Sequence, residues 1–112
     1  MTIREAAAML GAEIIQDDFE DSPLTSAYTS DLLSDVMANA KEGGALITIQ
    51  AHKNTVAVAT LVNISVIVLC NSRPVQDNDM LEAAKDEGIA VIRTKENQFT
   101  VSGKLYAAIQ NA

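Results

Sequence analysis

Apolar residues in this chain fall into short unbroken runs more often than into strict alternation. The two clearest are Ile64-Ser65-Val66-Ile67-Val68-Leu69-Cys70 and Ile89-Ala90-Val91-Ile92. Between them Asn71-Ser72-Arg73-Pro74 breaks the pattern. Asp79 and Glu82 stand at capping-box spacing ahead of Ala83-Ala84, and Gly88 sits where a helix C-terminus favours glycine. This stretch predicts a strand, a helix and a second strand. Strands that are apolar at successive positions are covered on both faces, which indicates a parallel sheet flanked by helices.

The remaining chain extends that pattern. Thr2 and Glu5 form a capping box for a first helix over about residues 3–10, ended by Gly11. Ala12–Ile15 reads as a short strand, and an acidic loop with Asp17, Asp18, Glu20 and Asp21 follows. Leu24–Thr29 reads as another strand. Ser30 is placed to cap a helix through Ala40, with Leu32, Leu33, Val36, Met37 and Ala40 on its apolar face. Gly43-Gly44 turns the chain into a strand over Ala45–Gln50, and Asn54 is placed to cap a helix to about Val62. A last helix over about Asn97–Gln110 has Phe99, Val101, Leu105, Tyr106 and Ile109 as its apolar side, with Gly103 expected to lie close to the sheet. The eight residues between the first two strands are too few for a helical crossover, so one of those strands should run antiparallel to the rest. The expected fold class is therefore α/β: a three-layer α/β/α arrangement around a small, mostly parallel but mixed sheet of about five strands.

Composition narrows the function. The 112 residues suit one domain, spanning 1–112, and are 48% apolar but only 4% aromatic, which predicts an aliphatic core. A net charge of −7 argues against binding nucleic acid or an anionic membrane surface. The single cysteine leaves no internal disulfide and few zinc patterns. The longest apolar stretch, Val56–Cys70, is interrupted by Thr60, Asn63 and Ser65, and no signal-peptide pattern opens the chain. A cytoplasmic location, with no cofactor and no metal, is the resulting expectation.

In an open α/β sheet, ligands bind beyond the carboxyl ends of the strands. The turns expected there hold Gln50, His52, Lys53 and Asn54, then Asn71, Ser72 and Arg73, then Thr94, Lys95, Glu96 and Asn97. Lys53, Arg73, Arg93 and Lys95, four of the eight cationic residues, thus gather at one edge with three helix N-termini. Both features favour an anion. Polar turns also arise simply because turns face water. His52 is the one histidine, a candidate ligand contact and, with Cys70 or Asp31, a conceivable catalytic group. Cys70 at the end of an apolar strand equally suits a buried small hydrophobe. Asp31 and Asp35 are four apart on one helix and would need further oxygens to hold a divalent ion. No Gly-x-x-x-x-Gly-Lys-Ser/Thr loop is present, and Gln50-Ala51-His52 stands where a receiver domain would carry its acceptor aspartate.

The series Ser30-Asp31-Leu32-Leu33-Ser34-Asp35-Val36-Met37, Thr48-Ile49-Gln50-Ala51-His52-Lys53-Asn54, Ile67-Val68-Leu69 and Gly88-Ile89-Ala90-Val91-Ile92-Arg93-Thr94 with Phe99 resembles the DRTGG-domain family. That family is similar to the N-terminal domain of HPr kinase/phosphorylase and includes small stand-alone members. The resemblance runs from about Thr2 to Tyr106. Two features depart from it: Cys70-Asn71-Ser72 stands where many members carry threonine-glycine-glycine, and only Ser30-Asp31 lies near the place of the family's aspartate-arginine pair. The resemblance implies a regulatory or dimerisation module without catalytic activity of its own, the kinase chemistry of its relatives belonging to a separate P-loop domain.

The leading expectation is a non-catalytic regulatory protein, a homodimer, that senses an anionic metabolite or nucleotide through Asp31, Gln50, His52, Asn54, Asn71, Arg73 and Thr94. In it the amides and cations hold the anion and Asp31 orients a hydroxyl or amine. One alternative is an interaction or dimerisation module with no small-molecule ligand. Another is a small enzyme using His52 with Asp31.

Overall fold

The computed structural model describes residues 1–75 and 78–111. Among them are five strands and five helices: α1 (Ile3–Met9), β1 (Glu13–Gln16), β2 (Ala27–Thr29), α2 (Leu33–Asn39), β3 (Ala45–Thr48), α3 (Lys53–Leu61), β4 (Val66–Leu69), α4 (Asp79–Glu87), β5 (Ala90–Arg93) and α5 (Gln98–Gln110). The strand order is β1-β5-β4-β3-β2. β2, β3, β4 and β5 pair in parallel, and β1 runs antiparallel to β5. One of the first two strands runs antiparallel, as their short link requires; because it is β1, the acidic loop after it lies at the end opposite the carboxyl ends of the other strands.

The unbroken apolar runs are sandwiched as their pattern requires. All four residues of β3 and of β4 are buried. Alternate side chains enter two separate cores. Ala45, Ile47, Val66, Val68, Ala90 and Ile92 meet Ile3, Ala6 and Leu10 of the first helical segment and Val101 and Leu105 of α5. Leu46, Ile67, Leu69 and Val91 meet Val36, Val56, Ala59, Met80 and Ala84 of α2, α3 and α4. Each fully buried Ile or Leu contributes about 1.5–3 kcal/mol relative to exposure. The layers are thus α1 and α5, the sheet, then α2, α3 and α4.

Local signals hold at several ends. Thr2 and Glu5 make the complete capping box, and Gly88 closes α4 in the left-handed conformation at φ 67°. Gly44 lies so close to Ser26 that a Cβ would stand 2.6 Å from the Ser26 hydroxyl, which pins the start of β3 against the approach to β2.

Other ends differ from expectation. α2 begins at Leu33, because the Ser30 hydroxyl accepts from Leu32 N at 3.1 Å instead of capping a helix, and the Asp31 carboxylate turns toward β3. Leu32 and Met37 are accordingly exposed, 64% and 51%, and only Val36 of that face is fully buried. α3 starts at Lys53 with His52 at its N-cap, so Asn54 lies inside the first turn. α4 takes Asn78 as N-cap, placing Asp79 at the first position within the helix instead of at its cap. On α5, Phe99 is 88% exposed, Tyr106 69%, and Gly103 has open space around it, so this helix turns only Val101 and Leu105 fully into the core.

Candidate functional site

Because β2–β5 are parallel, the segments after them share one rim. Asp31 follows β2; Gln50, His52 and Asn54 follow β3; Asn71 and Arg73 follow β4; Thr94 follows β5. The rim places all seven at one end of the sheet, but their side chains do different things.

Asp31 is engaged within the protein. Its Oδ1 accepts from the Thr48 hydroxyl at 2.8 Å, the Ile49 amide at 2.9 Å and Gln98 Nε2 at 3.1 Å. Gln50 Nε2 donates to the Asp31 carbonyl at 3.2 Å, and the Gln50 amide donates to Thr48 Oγ1 at 3.1 Å. This network ties the loop after β2 to β3 and to the first turn of α5. Gln98 is its unforeseen member. It lies 67 residues from Asp31, and only its position at the start of a helix on the same rim hinted at it.

Thr94 is 2% exposed; its hydroxyl donates to the Leu10 carbonyl at 3.1 Å and accepts from Glu96 N at 3.2 Å. Asn71 and Ser72 take left-handed backbone conformations, φ 59° and 52°. Their amides donate to the carbonyls of Glu96 and Thr94, both at 2.9 Å, and Arg73 N closes the turn onto the Cys70 carbonyl at 3.1 Å. The β4 and β5 turns are therefore stitched together through backbone.

Between the β3 and β4 turns lies a cleft of about 140 Å³ lined by Ile49, Gln50, Ala51, His52, Arg73 and Pro74. His52 and Arg73 are exposed, and neither side chain hydrogen-bonds another described residue. His52 gives α3 no side-chain cap, and the first turn of α3 carries no acid. The Thr55 amide donates to the His52 carbonyl at 3.0 Å, and the Lys53 and Asn54 amides of α3 remain available to an anion at the positive end of the helix.

Electrostatics favours that part of the rim over the rest. Arg93 is bound to Glu13 at 2.9 Å, which removes one of the four expected cations. Lys104 and Glu96 pair at 2.6 Å beyond β5. Cys70, buried at the middle of the rim, has its thiol pushed up to about 11, first by burial and then by the negative charges of Asp31 and Glu96. At neutral pH it is a thiol, a poor nucleophile, so no activated Cys/His pair exists here. Nor are Asp31 and Asp35 turned to one ion: Asp35 accepts from the Tyr28 hydroxyl at 2.8 Å and from Asn39 at 2.9 Å, bonds that hold its carboxyl below the usual range. Among the described residues, no hydrogen bond joins His52 to Asp31.

The architecture recurs in a solved structure, the CBS and DRTGG domains of the regulatory region of Clostridium perfringens pyrophosphatase, complexed with its activator, diadenosine tetraphosphate. The TM-score is 0.72 at 19% sequence identity, over 91% of this chain and 44% of that one. This chain shares its fold with part of that regulatory region. It spans less than half of the region's length. No family model matches the sequence, and no curated protein matches it. No helix among the described residues is long and apolar enough to cross a membrane.

Proposed function

We propose that this chain is a non-catalytic regulatory module of the DRTGG type that senses an anionic metabolite or nucleotide in the cleft beside α3, and that it acts as a homodimer. The supporting observation is the convergence of Gln50, His52 and Arg73 on that cleft at an uncapped helix N-terminus. The volume of about 140 Å³ falls below the roughly 300–1,000 Å³ of sites that enclose a whole small molecule. It suits a phosphoryl group, with the rest of the ligand lying outside. The direct contacts in this reading are His52, Arg73 and the first amides of α3, with Gln50, already bonded to the Asp31 carbonyl, and Asn54 and Asn71 at the border. Asp31 and Thr94 support the rim from behind. The activator of the fold neighbour, diadenosine tetraphosphate, belongs to the same ligand class.

Calorimetric titration with inorganic phosphate, AMP, ATP and diadenosine tetraphosphate tests the reading. At least one should bind, and Arg73→Ala and His52→Ala should each weaken it about tenfold, the loss of about 1.4 kcal/mol that one charge-assisted hydrogen bond supplies. Binding that is unaffected by both substitutions, or no binding by any of the four, overturns it.

A further inference from the structure

The two edges of the sheet are built differently. At the β1 edge stands the exposed Glu13 carboxylate with Arg93. The Arg4 guanidinium, paired with Asp17, lies near that side over the Phe19 ring. Charges of this kind deter strand-to-strand association. β2, at the other edge, has none: its residues are Ala27, Tyr28 and Thr29.

Beside β2 runs a cavity of about 550 Å³, lined by Ala27 and Thr29 on one side and by Phe99, Ser102, Tyr106 and Ile109 of α5 on the other, with no ionisable group among its lining residues except the Tyr106 hydroxyl. That is unusual for a chain in which 21% of residues are charged. Phe99 and Tyr106, two of its lining residues, are among the most exposed large apolar side chains of the molecule.

The backbone of β2 adds a direction. The Ser26 carbonyl accepts from Ala45 N at 2.9 Å, and Ser30 N donates to the Ile47 carbonyl at 3.2 Å. Alternate residues of a strand direct their backbone groups to opposite sides. Ser26, Tyr28 and Ser30 therefore serve β3, and the N–H and C=O of Ala27 and Thr29 face outward, where the strand order places no neighbour.

We infer that a second copy of this chain occupies this edge, pairing β2 with β2 antiparallel about a two-fold axis through Tyr28. In that register Ala27 stands opposite Thr29 of the second copy. Both residues belong to hydrogen-bonded pairs, so all four outward groups on each copy find partners. The contact is isologous and closed, and the edges that remain are the two β1 strands with their Glu13 and Arg93 charges. The axis stands perpendicular to the sheet. Both copies of α5 then lie on the same face of a continuous ten-stranded sheet, each with Phe99 and Tyr106 beside the junction. Backbone pairing of so short a strand is too small to hold a stable interface, which needs about 1,200–2,000 Å². The uncharged α5 groove supplies the apolar part. The −7 charge on each copy opposes association, so added salt should leave the dimer intact or strengthen it.

This inference deepens the homodimer reading above, and one set of measurements separates the two. Sedimentation equilibrium of the full chain across a concentration series should give twice 11.9 kDa. Phe99→Asp should raise the dissociation constant at least about tenfold. Ala27→Pro, which removes only an outward-facing donor, should do the same with circular dichroism unchanged. Phe99→Asp alters a side chain that is already exposed, so it keeps the test decisive if Ala27→Pro fails to fold. Leu61→Asp, in the groove between α3 and α4, should leave the dimer as it is. A wild-type chain that stays monomeric overturns both the dimer and its interface. A dimer indifferent to Phe99→Asp, or one that Leu61→Asp dissociates instead, overturns the β2 interface alone.

Discussion

The rim of the sheet has a tied half and an open half. On the β2 side, Asp31 gathers Thr48, Ile49 and Gln98 onto one carboxylate, and Gln50 bonds the same loop. On the β4 side, His52 and Arg73 face a cleft with no hydrogen bond to other described side chains. The polar residues of both halves looked alike as sequence. The difference lies in what satisfies them: protein groups on one side, water or a ligand on the other. A polar group already paired contributes to stability, whereas one held in place but unpaired is free to bind. Substitutions in the tied half should therefore be read out as unfolding and those in the open half as lost affinity.

The largest expected effect is at Asp31. Asp31→Ala leaves the fully buried Thr48 hydroxyl and the Ile49 amide without their acceptor. Hydrogen bonds to a charged group are worth about 1.5–3 kcal/mol, and an orphaned buried donor adds its own desolvation cost. Urea unfolding should show a loss of about 2–3 kcal/mol, with Asp31→Asn losing less because one oxygen acceptor remains. In contrast, Arg73→Ala should change stability by less than about 0.5 kcal/mol, as exposed substitutions usually do. If the two variants prove equally stable, the division of the rim is wrong.

The parts of this design that were legible in the sequence follow from period and local geometry. The β4-α4-β5 unit could be read because unbroken β-branched runs, a helix-ending glycine and a turn tetrapeptide all act within a few residues. That one of the first two strands runs antiparallel followed from the short link between them, and the structure identifies it as β1. Helix starts were less legible, since capping residues compete. Ser30 and Asp31 both suit a cap, yet one bonds locally to Leu32 and the other reaches β3. The Asp31–Gln98 bond could not be read, because pairing across 67 residues exists only once the sheet has brought the two ends to one rim. Phe99 and Tyr106 are exposed where their spacing predicts burial, for a related reason: helical spacing marks an apolar side, but not whether the covering surface belongs to the same chain.

The departure from the glycine pair expected after β4 acquires a conformational meaning. Asn71 and Ser72 both have positive φ, a region that costs L-residues about 1–2 kcal/mol and glycine almost nothing. Glycines at these positions would serve the turn itself, whether or not a ligand approaches. Asn tolerates the left-handed region better than serine does. Ser72→Gly should therefore stabilise the protein by about 0.5–1 kcal/mol after the added chain entropy of glycine, measured by urea unfolding. Because the Ser72 amide already bonds to Thr94, the substitution should leave anion affinity within about twofold. A loss of stability would mean that the Ser72 side chain matters more than its backbone.

The smallest effect sharpens the electrostatic side of the comparison. Glu13→Gln removes the partner of Arg93 and returns a fourth cation to the rim. The pair is partly exposed, 30% and 67%, so screening and side-chain entropy leave it worth no more than about 0.5 kcal/mol. Its effect on binding separates two pictures. If the rim attracts anions through its summed charge, a freed Arg93 should strengthen binding, and more so at low salt. If attraction is local, Arg93 lies on β5, beyond β4 from the cleft, and its charge is largely screened at that range in physiological salt. The uncapped α3 terminus with His52 and Arg73 supports the local picture, so affinity in Glu13→Gln should stay within about twofold of wild type. A marked, salt-sensitive gain would show instead that the whole rim acts as one field and that the Glu13–Arg93 pair holds it in check.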